Sequence, residues 1–422
     1  LASPAPAAEW VEIIPDGPKP PPRAYTTAAY DSQRHRMLIF GGDGLGGYLN
    51  DVWAFDIASN TWEELTPVSG PMPVERETAA NVYDPAGDRM LMWSGQSASA
   101  FHNDTWAFDL VNNAWSEYAP PPPLPNERYG VASIFDPVDG DLVTFAGFTN
   151  QGRFDDTQRF NPVAGAWTDV SPAASPPERC LHSASYDSQN HRLIMYGGQM
   201  SGPLGDIWAF DLDAHTWEEL TPTSSPPGRW FPTQVYDIEN HRALVFGGHR
   251  GGSGGKTNEV WAFDLAGTGW QLLEPSGTAP SERDGSSSIY VPGEDRMLVF
   301  GGRDNAFRDD LWSLEGLSES SSVAGESGLG HNSLALRSHP NPTRGATTLS
   351  FKLGLEGYTI LQIFDVQGRR VRTLLNGRSG GGSASVDWDG RTDEGRLVPE
   401  GVYVVSLRGA EGRASTRITI IP

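Results

Sequence analysis

Residues Met37 to Gly42, MLIFGG, are four apolar residues followed by a glycine pair, and this pattern recurs along the chain. A short apolar run favours a buried strand, and the glycines indicate a turn after it. The other copies are LMWSG ending at Gly95, VTFAG at Gly147, LIMYGG at Gly198, LVFGG at Gly248 and LVFGG at Gly302. Successive copies are 53, 52, 51, 50 and 54 residues apart. A period of about 50 residues built of strands indicates a β-propeller with one four-stranded blade per repeat.

Each repeat contains four strand-like segments in the same order. The first follows an arginine and ends in Tyr-Asp or a variant, as in RAYTTAAYD, and the second is the Gly-Gly strand. The third is aromatic, as in DVWAFD, and the fourth resembles TWEEL; proline-rich loops then lead to the next arginine, where no ladder N–H is needed. The predicted blades are residues 23–65, 76–118, 128–170, 179–220, 229–273 and 283–315.

The sixth repeat stops after LWSLE and lacks a fourth strand. A candidate for it lies at the other end of the chain, where residues 10 to 14 read WVEII before the first repeat. We therefore expect this N-terminal strand to close blade six, which joins the ring and removes an exposed sheet edge.

The pattern resembles the kelch-repeat propellers over residues 10–315. The Gly-Gly pair, the third-strand tryptophan and the W-x-x-L strand recur at matched offsets. Repeat three departs, with Ala146-Gly147 for the glycine pair and Gln158 in place of the tryptophan. The resemblance implies an all-β, six-bladed propeller with a looser or specialised third blade.

The remaining chain predicts a tail at residues 1–9, a Ser/Gly-rich linker at 316–337 and a small antiparallel β-sandwich at 338–422. Stretches such as NPTRGATTLSF, IFDVQGRRVRTL and DWDGRTDEGRLVPEGVYVVSL resemble the immunoglobulin-like domain shared by flagellar hook-capping proteins and type IX secretion tails. That resemblance implies a bacterial protein exported to the cell surface or medium. The chain ends in Ile421-Pro422, without the basic end that many such tails have.

Composition excludes several classes of function. The formal charge of −22 would repel nucleic acid, and no apolar run is long enough to span a membrane. Residues 338 to 422 hold 11 basic and 8 acidic residues, which leaves 20 and 45 for residues 1 to 337. The single cysteine, Cys180, rules out an internal disulfide. The start LASPAPAAE is typical of the remnant left by a cleaved export signal, although a sequence boundary gives the same start.

Two sets of residues are candidates for ligand binding. Six arginines start the innermost strands and should surround one mouth of the channel, where they suit a carboxylate, sulfate or uronic acid. They are Arg23, Arg76, Arg128, Arg179, Arg229 and Arg283. The architectural alternative is that each pairs with the acid two residues before the third-strand aromatic position. Those acids are Asp51, Asp104, Asp156, Asp206, Glu259 and Asp310.

The loops after the Gly-Gly strands differ between repeats and supply the second set. Its members are Tyr48, Phe101, His102, Arg153, Phe154, His249, Arg250, Lys256, Arg303, Phe307 and Arg308. We predict that they form a binding surface on the arginine side of the propeller; solvated loop tips are the alternative.

No pattern in the sequence predicts a cofactor, a metal or a catalytic group. The G-x-G-x-x-G spacing of Gly42, Gly44 and Gly47 is not repeated in the other loops and precedes no helix signal. The zinc alternative uses His35, His191 and His241, which fall in turns of different blades. The nucleophile alternative uses Cys180, His182 and Ser183, which occupy a first-strand position. A copper-radical oxidase needs a Tyr-His pair, and no such dipeptide occurs.

A last metal alternative is calcium in the loop DWDGRTDEG, at Asp387, Asp389 and Asp393. The loop lacks the glutamate and spacing of an EF-hand, and an Asp-Gly turn explains it more simply.

These observations favour an exported, non-catalytic binding or scaffold protein. The propeller would present a face to a protein or glycan, including an anionic one, and the C-terminal domain would serve export or surface attachment. One alternative is a carbohydrate-active enzyme of the oxidase or isomerase type on a kelch propeller. Another is a structural or decorating subunit of an extracellular assembly. Fold alone does not choose among them.

Overall fold

A computed structural model describes residues 8–67, 69–267, 269–317, 335–353, 357–365, 370–379, 382–393, 395–409 and 412–421. The chain divides into two compact units, Leu1–Ser320 and Ser321–Pro422. Residues 1–7 of the predicted tail and 318–334 of the predicted linker lie outside the described residues.

The first unit consists of six antiparallel sheets, which confirms the predicted all-β, six-bladed propeller. The first strands are Thr27–Asp31, Ala80–Asp84, Ala132–Asp136, Ser183–Asp187, Thr233–Asp237 and Ser287–Val291. The second strands are Arg36–Gly44, Arg89–Trp93, Asp141–Thr149, Arg192–Tyr196, Arg242–Phe246 and Arg296–Phe300. The third strands are Gly47–Asp56, Thr105–Asp109, Gly152–Asn161, Ile207–Asp211, Val260–Asp264 and Leu311–Glu315. The fourth strands of blades one to five are Thr61–Glu64, Ala114–Tyr118, Ala166–Asp169, Thr216–Leu220 and Gly269–Leu273.

The first strands of neighbouring blades contact one another around the whole ring, including blade six against blade one. A short strand, Arg23–Ala24, extends the sheet of blade one, and a 3-10 turn, Gly252–Gly254, lies in a loop of blade five. Apolar side chains of adjacent blades pack together between the sheets, so each blade covers the face of the next.

Strand Glu9–Ile13 supplies the fourth strand of blade six, so the predicted closure is confirmed. It pairs antiparallel with Leu311–Glu315 over five residue pairs, and Ser276–Gly277 pairs with its outer edge. Trp10 is 3% exposed, and its ring packs edge-on against Phe246 of blade five at 5.2 Å. The closing strand therefore adds both ladder hydrogen bonds and a buried aromatic side chain.

The Gly-Gly pair forms a sharp corner whose second position requires glycine. The backbone φ angle there lies between 97° and 118° in all six blades, a region that L side chains avoid. A Cβ on Gly42 would lie 2.7 Å from the carbonyl oxygen of Ala24. The first position is ordinary left-handed backbone, with φ of 65° at Ser94 and 58° at Ala146. This explains why repeats two and three depart from Gly-Gly only at the first residue.

The same corner joins each blade to the next. The amide of the second glycine donates to the carbonyl of the arginine that starts the following blade, at 2.9 Å each time. The pairs are Gly42 to Arg76, Gly95 to Arg128, Gly147 to Arg179, Gly198 to Arg229, Gly248 to Arg283 and Gly302 to Arg23. The last of these bonds closes the ring.

Blade three differs from its neighbours by a compensated exchange of charges. In four blades the arginine opening the second strand pairs with the aspartate ending the first, as Arg36 does with Asp31 at 2.8 Å. Blade three has Asp141 at that arginine position. Arg159, from the third strand, replaces the lost cation and lies 2.9 Å from Asp136 and 3.1 Å from Asp141. Asn161 stands where other blades have an acid and donates to Asp141 at 2.7 Å.

The second unit is a sandwich of two antiparallel sheets. One has the order Ala335–His339, Thr347–Leu353, Gly382–Trp388, and the other Arg370–Ser379, Gly357–Asp365, Gly401–Gly409, Gly412–Ile420. Leu349 and Trp388 of the first sheet share one apolar core with Ile363, Val405 and Ile418 of the second. Strand Ala335–His339 starts inside the segment predicted as linker, so the predicted linker end at 337 is wrong by a few residues. Its alternation ALRSH is only five residues long and directly follows a Ser/Gly-rich stretch, which obscures the boundary.

We predict that Trp10→Ala lowers the free energy of unfolding of the full chain by about 3 kcal/mol or more, because it removes a buried aromatic side chain from the closing strand. Thermal or urea unfolding measures the change. Ile14→Ala is the matched control, because Ile14 is 69% exposed and should change stability by less than about 0.5 kcal/mol. Equal effects of the two variants would contradict the role of this strand in closure.

Arg159→Ala should destabilise the chain by about 3–5 kcal/mol, because it leaves the buried Asp136 carboxylate without its arginine. The triple variant Asp141→Arg, Arg159→Ala, Asn161→Asp gives blade three the charge arrangement of blade two, and should recover most of that loss. Urea denaturation compares the three proteins. A triple variant no more stable than Arg159→Ala alone would refute the compensation.

Candidate functional site

The six arginines of the first-strand starts, called here the ring arginines, are 0–1% exposed. Five form two hydrogen bonds to the acid of their own blade, as Arg23 does to Asp51 at 2.6 and 2.6 Å. Arg229 donates to Glu259 at 3.1 Å. Each Nη1 also donates to the carbonyl of the residue before the second glycine, at 3.0–3.2 Å. The predicted alternative of an arginine–acid pair in every blade is confirmed.

Each of these acids accepts another bond from the third strand. Tryptophan Nε1 is the donor in five blades, for example Trp106 to Asp104 at 2.7 Å. In blade three Gln158 Nε2 donates to Asp156 at 2.9 Å, so glutamine replaces the tryptophan as donor. Burial opposes the charge of Asp104, Asp206 and Asp310, yet hydrogen bonds from their arginines hold each pKa below its usual value. A ligand would reach these guanidinium groups only by opening the pairs.

A ring of hydrogen bonds between successive blades surrounds the channel mouth on the arginine side. Its members lie two residues after each ring arginine: Tyr25, Thr78, Gly130, Leu181, Phe231 and Gly285. All six have left-handed backbone, which turns each amide toward the preceding blade. Five amides donate to the carbonyl of the preceding member at 2.7–3.1 Å, and Gly130 donates to Thr78 Oγ1 at 3.2 Å. The Tyr25 and Phe231 rings meet over the mouth, 4.4 Å apart.

Below this ring lies a cavity of about 150 Å³ lined by first-strand residues. Its polar side chains link neighbouring blades: Ser183 donates to Gln234 at 2.9 Å, and Ser287 to the Thr26 carbonyl at 3.1 Å. Sequence reasoning named Ser183 only as a possible nucleophile and did not single out Gln234, Ser287 or Thr26. The small and hydroxyl residues repeated in the first strands, as in RDGSSSIYV, were the available signal.

On the same side of the propeller, six residues of blades one to three form what we call the blade-two sector. They are Asp43, Tyr48, Glu77, Phe101, Tyr129 and Phe148. Phe101 stacks on Tyr129 at 5.5 Å and 17°, and both rings meet Phe148 edge-on. Tyr48 lies opposite Asp43 in the blade-one hairpin, and Glu77 acts electrostatically on both Tyr48 and Tyr129. Partly exposed aromatic rings therefore adjoin two carboxylates.

The sector is electrostatically unusual for this protein. Burial, and then the charge of Asp43, raise the pKa of Glu77 to about 7 against the opposing charge of Arg303. Burial also raises the pKa of Asp43. Within the part of the chain that the structure describes, no cation comes within ion-pair distance of either carboxylate. These acids thus differ from the six that the ring arginines neutralise.

Two predicted site residues, Tyr48 and Phe101, lie in the sector, and Arg153 borders it with its guanidinium 5.3 Å from the Phe148 ring centre. His102 stands beside it, and burial followed by the Arg76 charge lowers its pKa. Phe154 instead covers the Arg128 guanidinium at 3.8 Å.

The other predicted residues come from blades five and six. His249 stacks on Trp230 at 4.9 Å, and Arg250 pairs with Glu259. Lys256 contacts Asp284 at 2.9 Å, and Arg308 pairs with Asp304. Arg303 is exposed, with its guanidinium 5.1 Å from the Phe307 ring centre. The predicted set is therefore divided between two regions of the arginine side.

Sequence reasoning missed four members of the sector: Asp43, Glu77, Tyr129 and Phe148. Glu77 and Tyr129 directly follow ring arginines, and Asp43 and Phe148 directly follow the second glycine. Residues at these two positions pair by main-chain hydrogen bonds, as Tyr129 and Phe148 do at 3.0 Å. Both positions vary from repeat to repeat while the residues around them recur, and this variation could have identified them as candidate binding residues.

The three histidines of the zinc alternative each join two blades. His35 Nε2 lies 2.7 Å from Glu294 of blade six, and His191 Nε2 3.0 Å from Asp136 of blade three. His241 lies 3.5 Å from Asp187 of blade four. No group of three potential metal ligands was found among the described residues.

The residues of the nucleophile and calcium alternatives are buried or hydrogen-bonded within the fold. Cys180 is 1% exposed, and burial raises the pKa of its thiol. Burial lowers the pKa of His182 to about 3. Asp389 and Asp393 accept hydrogen bonds from the amides of Arg391 and Thr373, both at 3.1 Å. Asp387 accepts a hydrogen bond from Thr348 Oγ1 at 2.7 Å. These carboxylates tie their loop to the neighbouring strands.

Comparison with known families agrees with this architecture. The family described as the KLHDC2/KLHL20/DRC7 kelch-repeats domain matches residues 6–177 and 172–322, more than half of the chain. The protein therefore belongs to the kelch-repeat family. The FlgD Ig-like domain matches residues 343–413.

Several curated proteins are similar to part of this chain. Acyl-CoA-binding domain-containing protein 6 of Oryza sativa subsp. japonica is 29% identical over 202 residues, which are 45% of this chain and 30% of that protein. Serine/threonine-protein phosphatase BSL2 of Arabidopsis thaliana is 28% identical over 226 residues, 47% and 21% of the two chains. Multiple epidermal growth factor-like domains protein 8 of Homo sapiens is 27% identical over 197 residues, 45% and 7%. The chain spans less than a third of the length of each of these relatives.

None of the helical segments in the described ranges is both long and apolar enough to cross a membrane.

The contact between His191 of blade four and Asp136 of blade three should weaken at alkaline pH. Although burial opposes its charge, hydrogen bonds to Asp136 and Asp213 raise the pKa of His191 to about 8. Because this pKa is raised above the ordinary value of about 6.5, the stabilisation is complete below pH 6.5 and is lost as pH rises through 8. The wild-type minus His191→Gln difference in unfolding free energy should fall by about 2 kcal/mol between pH 6 and pH 9. A difference independent of pH would show that His191 carries no such proton.

Proposed function

We propose that this protein is an exported, non-catalytic scaffold whose propeller binds another protein through the blade-two sector. The observation that carries the proposal is the stack of Phe101, Tyr129 and Phe148 on the arginine side, where partly exposed rings adjoin carboxylates without ion-pair partners. Aromatic side chains are enriched at protein interfaces because they bury large areas at little conformational cost.

Membership of the kelch-repeat family supports a role in protein binding, because kelch domains generally bind proteins. The ring arginines support it indirectly. Each is buried and neutralised, so the reason for expecting an anionic ligand is removed. In the described ranges, the Ser183 hydroxyl donates to Gln234 and not to a histidine, which favours binding over nucleophilic catalysis.

The proposed export and surface attachment rest on the second unit. Its match to the FlgD Ig-like domain supports a bacterial protein that works outside the cytoplasm. In this scheme the sandwich supplies export or attachment, and the propeller supplies recognition.

The test is chemical crosslinking of the tagged full chain on cells and culture medium of its source organism, followed by mass spectrometry. Phe101→Ala with Tyr129→Ala should reduce recovery of the crosslinked partners at least about tenfold, as expected when central interface aromatics are removed. The extracellular fraction should contain both the chain and its partners.

The matched control is Val111→Ala with Val163→Ala, two residues 70% and 91% exposed in turns between third and fourth strands, on the opposite side. It should recover the same partners as the wild type. Loss of partners from the control but not from the sector variant would place recognition elsewhere. Retention of the chain in the cytoplasm would refute export.

A further inference from the structure

We infer that the partner presents a cationic segment, an arginine- or lysine-containing peptide, to the blade-two sector. This inference rests on the proposed function and specifies the chemistry of its partner. It combines three observations: two carboxylates without ion-pair partners, aromatic rings beside them, and an acidic border.

The carboxylates of Asp43 and Glu77 carry the first step. The ring arginines neutralise one acid in each blade, and Lys256 pairs with Asp284 on the same side of the propeller. Asp43 and Glu77 have no such partner among the described residues. Each would gain an attractive contact from an incoming ammonium or guanidinium group in a partly dehydrated setting.

The aromatic rings carry the second step. The negative face of a tyrosine or phenylalanine ring attracts a cation within about 6 Å of its centre. This propeller already uses that contact, for example with Arg128 over Phe154 at 3.8 Å and Arg153 over Phe148 at 5.3 Å. The Tyr129 and Phe101 rings, stacked beside Glu77, offer the same surface to a partner's arginine.

Exposed acidic residues surround the arginine side of the propeller. Four of the ring arginines directly follow an exposed glutamate: Glu75, Glu127, Glu178 and Glu282. Residues 1–337 hold 45 acidic and 20 basic residues, so the field around the propeller draws cations toward it. Arg303 is a local exception, because its positive charge acts on the sector and lowers the pKa of Glu77.

The experiment measures binding of two fluorescein-labelled peptides to the full chain by anisotropy at 0.15 M salt. One peptide alternates arginine and glycine, and the other alternates glutamate and glycine. The variants are Asp43→Asn with Glu77→Gln in the sector, and Glu63→Gln with Glu117→Gln as the control. Glu63 and Glu117 are exposed on fourth strands, so the control removes the same charge elsewhere.

The expected result is that the arginine peptide binds, that the sector variant weakens it about tenfold or more, and that the control stays within about twofold. Binding should also tighten from pH 6 to pH 8 as Glu77 ionises, and Glu77→Gln should flatten that change. The groups that face Glu77 are Asp43, Arg303, Tyr25, Tyr48 and Tyr129. Asp43→Asn alone repeats the test if the double variant unfolds.

Equal weakening by the sector and control variants would overturn the inference, because net charge alone would then explain binding. Preferential binding of the glutamate peptide would also overturn it. If neither peptide binds while Phe101→Ala with Tyr129→Ala still abolishes partner crosslinking, the cationic segment is wrong and the proposed scaffold role stands. If the aromatic variant leaves crosslinking unchanged, the proposed function fails.

Discussion

The buried arginine at the start of each first strand is the contact on which the propeller depends. Its guanidinium joins three parts of one blade: the loop before the first strand, the Gly-Gly corner and the third-strand acid. Its carbonyl accepts the corner amide of the preceding blade. A buried ion pair is not by itself a large source of stability. What this arrangement supplies is geometry, because one residue connects three parts of its own blade and the corner of the preceding blade, with its side-chain donors satisfied.

Because the scaffold is repeated six times, function has to reside where the repeats differ. The two variable positions, one after the ring arginine and one after the second glycine, face the same side of the propeller. Main-chain hydrogen bonds join them in blades two to six. In blade one, strand Arg23–Ala24 pairs with the extended second strand and makes the equivalent contact. The backbone is thus constant while the side chains change from acids in blades one and two to aromatics in blade three. Loop residues held by such a rigid frame are suited to recognition.

The sequence was sufficient for the repeat number, the strand order and the closing strand, because these follow from period and from hydrophobic alternation. It also offered the arginine–acid pair as an alternative, since both residues recur at fixed offsets. It did not show that the arginines are fully buried, because burial of Arg23 or Arg179 depends on contacts made across the sheet. Asp43 and Glu77 were missed for the same reason. What distinguishes them is that no cation of the described residues lies within ion-pair distance, although Arg303 acts on both from farther away, and only folded positions show that.

Blade three shows why departures from a repeat need to be considered together. Asp141, Gln158, Arg159 and Asn161 each break the pattern, and taken singly they suggest a looser or specialised blade. In the structure they form complementary replacements. Gln158 keeps the hydrogen bond that tryptophan donates elsewhere, and Arg159 restores the cation that Asp141 displaced while Asn161 removes a competing negative charge. A buried charge is tolerated only where its partner is present, so a change at one of these positions requires matching changes at the others. The departures of Asp43 and Glu77 lack such compensation within the described blades, and this difference separates a variation that preserves the fold from one available for binding.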